Sequence, residues 1–186
     1  LGTGAVRAPV RTDPRGVALV VVAVSSLQVG AAFAVTLFDD VEVGAFSVVG
    51  PHVRVGTGTV IGSHAVVTGR TTIGARNRIF QFSSIGEIPQ DRKYGGEPTT
   101  TVIGDGNVIR EYVSIHAGTA LDRGTTTIGN GNLVLAYVHI AHDCLIGDNT
   151  TFSNSSQLAG HVVVGDCAVL GGVTAVHQFV RIGAHA

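Results

Sequence analysis

The 186-residue chain contains no methionine and no tryptophan, and only 5% of its residues are aromatic although 45% are hydrophobic. These proportions predict a narrow core filled by Val, Ile and Ala, with no room for large rings. Charged residues make up 13% of the chain and the net charge is −1, so no basic surface for nucleic acid is expected. The cysteines, Cys144 and Cys167, are interpreted as free structural thiols in a reducing cytoplasm.

An apolar residue recurs at every sixth position along two long stretches of the chain. The first stretch runs from Val43 to Ile85 and the second from Ile128 to Ile182, and a glycine follows many of these apolar residues. A period of six matches neither the 3.6-residue period of a helix nor the alternation of an ordinary strand. Hexapeptide repeats are typical of a parallel β-helix, in which short strands wind around a prism. The sequence therefore predicts an all-β solenoid.

The same period predicts which residues are neighbours in space. Three hexads make one triangular coil, so residues 18 positions apart should lie one above another. Ile128, Ile146, Val164 and Ile182 keep this spacing and are predicted to form one inner corner of the prism. Adjacent Cα atoms in the series should lie about 5 Å apart.

Residues 1–40 do not follow the repeat, which fails at Ser25. No charged residue occurs from 16 to 38, a length that would allow a membrane span. Polar residues interrupt this stretch, however, and it continues directly into the repeat. We therefore interpret it as an atypical N-terminal segment, with no stable membrane insertion, before a β-helix domain at 41–186.

Two segments interrupt the repeat within the domain. Residues 87–101 carry two prolines and a Gly-Gly pair, and they are predicted to form a loop outside the prism. Because Ile103 follows Ile85 by one full coil of three hexads, this loop is expected to replace part of one coil without changing phase. The repeat then extends to Leu121, and a second excursion at 122–126 shifts it by one residue. The chain stops within a hexad and without a cap, so the natural protein is expected to continue.

Histidines and one carboxylate are brought together by the stacking of successive coils. His142, Gly160 and Gln178 should form one vertical row, and Asp143 and His161 the adjacent row. A histidine beside a carboxylate, with a second histidine and a glycine backbone one coil away, is suited to general-base catalysis. The alternative is that these are solvated surface residues.

Zinc binding is a competing use of the histidines. His139 and His142 have a tolerable ligand spacing, and His116 or His161 could supply a third ligand, as in the gamma-class carbonic anhydrases. In that family two ligands are separated by four residues, so the match is poor. We predict no metal site.

Four segments carry a resemblance to a known family. They are IGEIPQDRKYGGEPT (85–99), HIAHDC (139–144), LAGH (158–161) and GGVTAVHQF (171–179). Together they resemble the UDP-N-acetylglucosamine O-acyltransferases, the first enzymes of lipid A synthesis, over about residues 41–186. The resemblance implies a cytoplasmic homotrimer of left-handed parallel β-helices with active sites between subunits. It also implies further coils and a C-terminal helical domain after the present end.

The resemblance implies the transfer of a 3-hydroxyacyl chain from acyl carrier protein to the 3-hydroxyl of UDP-N-acetylglucosamine, with no metal or organic cofactor. His142 matches the general base, Asp143 the carboxylate that orients it, and the Gly160 N–H the oxyanion donor. The matching substrate-binding positions are Gln90, Asp91, Lys93, His116, His139, His161 and Gln178.

Two other functions remain open. One is a related hexapeptide-repeat enzyme, either the N-acyltransferase of the same pathway or an acetyl-CoA-dependent acetyltransferase. The QDRKYGGEPT segment argues against both, because it belongs to the O-acyltransferase pattern. The other is a truncated, inactive scaffold that retains the catalytic residues.

Overall fold

The structure is a computed structural model that describes residues 36–37 and 40–186. The described residues form 22 short β-strands and no helix. No helix with the length and apolar character of a membrane span occurs in this part of the chain. Apart from Asp40 and the strand at Thr36–Leu37, the predictions made for residues 1–40 lie outside the described residues.

The strands form three parallel sheets, and each successive strand in the chain belongs to the next sheet. The first sheet contains β1 (Thr36–Leu37), β4 (Arg54–Val55), β7 (Arg70–Ile73), β10 (Thr100–Ile103), β13 (Thr125–Ile128), β16 (Leu145–Ile146), β19 (Val163–Val164) and β22 (Arg181–Ile182). The second contains β2 (Glu42–Val43), β5 (Val60–Ile61), β8 (Arg78–Ile79), β11 (Val108–Ile109), β14 (Leu133–Val134), β17 (Thr151–Phe152) and β20 (Val169–Leu170). The third contains β3 (Val48–Val49), β6 (Val66–Val67), β9 (Ser84–Glu87), β12 (Ser114–His116), β15 (His139–Ile140), β18 (Gln157–Leu158) and β21 (Ala175–Val176).

The strand register confirms the predicted stacking. Ile128 pairs with Ile146, Ile146 with Val164, and Val164 with Ile182, all in parallel strands of the first sheet. Three sheets that share one interior form the triangular prism of a left-handed parallel β-helix, as predicted. Each coil places one short strand in each sheet.

The core lies inside this prism. In most two-residue strands the first side chain faces outward and the second faces inward, because successive side chains of a strand point to opposite faces. The inward residues are mostly Val and Ile, as the composition predicts. The expectation that large rings are excluded is wrong at one position, since Phe152 is 0% exposed between Val134 and Leu170 on the adjacent coils.

The first loop does not replace part of a coil, which corrects the prediction from the sequence. Ile103 pairs with Ile73 and not with Ile85, and Ile85 pairs with Ile115. The coil that carries the loop is therefore longer than a regular coil by two whole hexads. An insertion of whole hexads leaves the six-residue repeat in register along the sequence. The residue with which each strand position pairs nevertheless changes.

The second excursion is also longer than predicted. Ile128 pairs with Ile103, so this coil carries seven residues more than three hexads. Leu121 is not a core residue, because it lies in a turn and is 69% exposed. The chain leaves the third sheet after His116 and returns to the first sheet at Thr125, so the excursion begins before residue 122.

Buried amide side chains connect successive coils at one corner. The Asn77 Oδ1 accepts hydrogen bonds from the Asn107 backbone N–H at 2.9 Å and from its Nδ2 at 3.0 Å. The Asn107 Oδ1 accepts the Asn132 N–H at 2.9 Å, and the Asn132 Oδ1 accepts the Thr150 N–H at 2.7 Å. This ladder satisfies buried backbone donors at the corner, which would otherwise cost free energy.

Candidate active site

The candidate site lies at the corner that follows the third sheet, where several successive coils carry polar residues. The His161 N–H donates to the His142 carbonyl at 3.0 Å, and the Phe179 N–H donates to the Gly160 carbonyl at 3.3 Å. A Cβ atom on Gly160 would lie only 2.7 Å from the His142 Nε2. These contacts confirm the predicted stacking of His142, Gly160 and the segment around Gln178.

His142 and Asp143 form a buried histidine–carboxylate pair. The His142 Nδ1 lies 3.0 Å from the Asp143 Oδ2, and the two residues are 5% and 0% exposed. An ionised carboxylate can only accept a hydrogen bond, so Nδ1 carries the proton. The His142 Nε2 then keeps its lone pair, and the ring lies against Gly160, where a Cβ atom would be 2.4 Å from Cε1 and 2.7 Å from Nε2. This is the tautomer that a general base requires.

The Asp143 carboxylate is held by a residue of the preceding coil. The Thr119 N–H donates to Oδ2 at 2.9 Å and to Oδ1 at 3.1 Å, and the Thr119 hydroxyl donates to Oδ2 at 2.6 Å. The backbone of Asp143 is also held, because its N–H donates to the Thr126 Oγ1 and its carbonyl accepts from Arg123. These bonds compensate for the burial of the charge.

His161 forms a second histidine–carboxylate pair beside the first. Its Nδ1 lies 2.7 Å from the Asp122 Oδ2, and its ring stacks on Phe179 with centroids 4.4 Å apart. The ring meets His142 edge to face at 4.9 Å, and its Nδ1 is 4.0 Å from the Asp143 Oδ2. The stacked Phe179 fixes the plane of the imidazole.

His116 and His139 form a third, neutral group on the same side of the molecule. Their rings meet edge to face at 4.9 Å, and the His139 Nδ1 lies 2.8 Å from the Ser114 hydroxyl. Burial and the nearby His142 lower the pKa of His139. The pKa of His116 is lowered to about 4, mainly by burial and to a smaller extent by the nearby His139 and His142. The buried His116 Nδ1 has no hydrogen-bond partner among the described residues.

Of the remaining predicted site residues, the three on the first loop do not join this cluster in the described part of the chain. Gln90, Asp91 and Lys93 lie on the first loop, where the Asp91 Oδ1 accepts the Lys93 N–H at 2.9 Å. No hydrogen bond or ring contact connects these three to the histidines in the described part of the chain. Gln178 lies at the corner with an exposed side chain.

An open groove of about 510 Å³ lies on the outer face of the third sheet, next to this corner. It is bounded by His139, Gln157, Leu158, Ala159, Ala175, Val176 and His177. The groove adjoins the corner that carries His142 and Gly160. His177 is a candidate site residue that the sequence analysis did not single out.

The only donor atoms in the described residues that could share a metal ion come from His142, Asp143 and His161, and they lie within 4.8 Å of one another. This set differs from the one considered from the sequence, because His116 and His139 do not belong to it. His142 and Asp143 already bond to each other, and the His161 Nδ1 already bonds to Asp122. A metal ion on either Nδ1 would compete with these hydrogen bonds.

Sequence reasoning missed three residues that support the site. Thr119, Asp122 and Arg123 lie in the seven-residue excursion and reach Asp143 or His161. They have no place in the hexad pattern, so stacking arithmetic cannot position them. The available signal was the excursion itself, which falls one coil before His142.

Comparison with known proteins first defines the class. Residues 34–69 and 125–160 match the family model described as bacterial transferase hexapeptide, with six repeats. Where the structure describes them, at 40–69 and 125–160, the matched segments form regular coils of the prism. With the three parallel sheets, this match defines the chain as a hexapeptide-repeat protein.

The particular family follows from individual relatives. An acyl-[acyl-carrier-protein]–UDP-N-acetylglucosamine O-acyltransferase of Thiobacillus denitrificans is 61% identical over 149 residues, which are 80% of this chain and 58% of that protein. A protein of the same name from Pseudomonas putida is 61% identical over 150 residues, 81% of this chain and 58% of that protein. The solved structure of LpxA from Acinetobacter baumannii matches with a TM-score of 0.78 at 44% identity, over 82% of this chain and 61% of that chain.

The chain belongs to the UDP-N-acetylglucosamine O-acyltransferase family. It spans less than two thirds of the length of the curated relatives that it matches.

Proposed function

We propose that the protein transfers a 3-hydroxyacyl chain from acyl carrier protein to the 3-hydroxyl of UDP-N-acetylglucosamine, the first step of lipid A biosynthesis. The relatives are named acyl-[acyl-carrier-protein]–UDP-N-acetylglucosamine O-acyltransferases, and these names support the two proposed substrates. The observation that carries the proposal is the His142–Asp143 pair, whose imidazole keeps Nε2 free and lies against Gly160.

In this reaction the sugar hydroxyl is a weak nucleophile that must lose its proton as it attacks. The His142 Nε2 accepts that proton, and Asp143 stabilises the imidazolium that forms. The sugar oxygen bonds to the thioester carbonyl carbon, giving a tetrahedral oxyanion. When the C–S bond breaks, the carrier thiolate takes the proton back from His142. The products are the O-acylated sugar nucleotide and the free carrier thiol.

The oxyanion requires a hydrogen-bond donor that is already in position. The Gly160 N–H has no acceptor among the described residues, and it lies at the same corner as the His142 ring. A donor of this kind contributes about 3–4 kcal/mol in comparable acyl transfers. We therefore assign this N–H as the oxyanion donor.

We also propose that the protein is a cytoplasmic homotrimer with sites in the clefts between subunits. Gln90, Asp91 and Lys93 would bind substrate from one side of the cleft, and His116, His139, His161 and Gln178 from the other. The separation of the loop from the histidines within one subunit favours this arrangement, because a shared site needs contributions from two chains.

The test is acyl transfer by the full-length protein, with UDP-N-acetylglucosamine and a series of 3-hydroxyacyl carrier protein thioesters. We expect the wild type to form O-acylated product and His142→Ala to be slower by about 10²–10⁴-fold. His52→Ala serves as the matched control, since His52 is exposed on a distant coil. Equal turnover by His142→Ala and wild type at saturating substrate would contradict the assignment.

General-base transfer needs no metal ion, and an ion bound to His142 would occupy the lone pair that accepts the proton. We expect the rate to be unchanged after treatment with a chelator. Loss of activity on chelation, restored by added zinc, would favour the anhydrase-like alternative.

A further inference from the structure

Thr119 is the residue that holds the carboxylate of the candidate active site. It lies in the excursion that lengthens one coil by seven residues, and the residue is 2% exposed. Its backbone N–H and its hydroxyl both donate to Asp143, and the 2.6 Å hydroxyl bond is the shortest of these contacts. No repeat position places a threonine there, so the excursion is what brings it to the carboxylate.

The hydroxyl bond determines where the carboxylate lies relative to His142. Oδ2 accepts the Thr119 hydroxyl and also faces the His142 Nδ1 at 3.0 Å. One oxygen atom therefore receives both bonds, and a shift of that oxygen changes the orientation of the imidazole. The backbone N–H of Thr119 cannot replace the hydroxyl, because it already shares its proton between the two carboxylate oxygens.

We propose that Thr119 is a positioning residue that completes a Thr119–Asp143–His142 chain of hydrogen bonds and sets the direction of the His142 Nε2. This role rests on the proposed acyl transfer for its effect on rate. The hydroxyl donates to Oδ2, Oδ2 accepts from Nδ1, and Nε2 is left to take the proton of the nucleophile. Thr119 itself does not touch the reacting atoms.

The structure offers an internal control for this role. Thr101 is also a fully buried threonine, and it pairs with Thr126 in the adjacent coil, next to Asp143. Its hydroxyl, however, has no hydrogen-bond partner among the described residues. The same substitution, threonine to valine, therefore removes a bond to the carboxylate at position 119 and no bond at position 101.

The first test measures kcat and KM of the full-length protein for Thr119→Val, Thr119→Ser and Thr101→Val. A methyl carbon cannot approach a carboxylate oxygen as closely as 2.6 Å, so the valine at position 119 displaces Oδ2. We expect kcat to fall about 10- to 100-fold in Thr119→Val, with the KM for the sugar nucleotide unchanged. Thr119→Ser restores kcat, and Thr101→Val retains it.

The matched variants distinguish positioning from general damage to the fold. Thr119→Val and Thr101→Val each replace the hydroxyl of a buried threonine by a methyl group, so a general loss of packing would affect both variants. A kcat that falls only in Thr119→Val, and returns in Thr119→Ser, reports the lost hydroxyl bond to Asp143. The Tm of all three variants should stay close to that of the wild type.

A second measurement does not depend on turnover. The His142 Nδ1 proton is observed by NMR in histidine-labelled protein and assigned by its loss in His142→Ala. We expect this resonance to shift or broaden in Thr119→Val and to match the wild type in Thr101→Val. A wild type that shows no acyl transfer would refute the proposed function, and the NMR comparison would still test Thr119. An unchanged His142 resonance, or a wild-type kcat in Thr119→Val, would overturn the inference.

Discussion

Gly160→Ala is the most direct test of the geometry at the corner of the proposed active site. A Cβ at this position would lie 2.4 Å from the Cε1, 2.7 Å from the Nε2 and 3.0 Å from the Nδ1 of His142. Ordinary contacts between such atoms are about 3.5–4.0 Å, so the imidazole has to move by roughly 1 Å. Its Nδ1 is tied to Asp143 and one face meets the edge of a neighbouring ring, which leaves little room for the movement.

The expected cost follows from this displacement. A misplacement of about 1 Å in a catalytic group can reduce the rate about 10²-fold. Overpacking a well-packed site costs typically about 1–3 kcal/mol of stability. We therefore expect Gly160→Ala to remain folded, with a modestly lower Tm and a kcat reduced about 100-fold.

The assay is acyl transfer at saturating substrate, together with thermal unfolding of the same preparation. Gly171→Ala is the matched control, because a Cβ there meets only the Thr174 Oγ1 at 3.6 Å, an ordinary contact distance. The control should keep wild-type kcat and Tm. Full activity in Gly160→Ala, with the His142 ring in its original position, would refute the reasoning.

Three further predictions concern the ionisable groups. Asp143→Asn should reduce kcat less than His142→Ala does, as kinetics of both variants can show. It should also lower the Tm in unfolding scans, because an amide NH2 then meets the donors of Thr119. Burial lowers the pKa of His116 to about 4 from 6.5 in the folded protein. Between these two pH values the unfolded chain binds more protons than the folded one, so the stability falls as the pH drops from about 6.5 to 4. The fall in Tm over that range should be smaller in His116→Gln, and an equal fall in both proteins would contradict it. Burial raises the pKa of Cys144 to about 12, so Cys144→Ala should retain acyl transfer and intact-mass spectra should show no acyl-enzyme.

The fold and the stacking of the site were largely predictable because a period of six specifies neighbours without knowledge of side-chain contacts. The series from Ile128 to Ile182 and the position of Gly160 beside His142 follow directly from steps of three hexads. The prediction for Ile103 was wrong because its coil carries an insertion of two whole hexads. An insertion of that length leaves the six-residue apolar repeat unchanged along the sequence, so only the strand pairing reveals it.

The supporting residues of the site could not be predicted in the same way. Thr119 and Asp122 belong to an irregular excursion, and the conformation of such a segment depends on the surface against which it folds. Their contacts with Asp143 and His161 join positions whose separations in the sequence are 24 and 39. Neither separation is a multiple of the coil length, so no counting rule connects them.

The buried amide ladder at Asn77, Asn107 and Asn132 has a consequence for how the coils assemble. Each side-chain oxygen accepts a backbone N–H of the next coil, and the first two steps of the ladder cross the two coils that carry insertions. An incoming coil that docks one residue out of step would leave both an amide and a backbone donor buried without partners. The ladder thus penalises misaligned docking at the two coils where the insertions make it easiest. Loops of different length can therefore extend from the outside of the prism while the strands inside keep a single register.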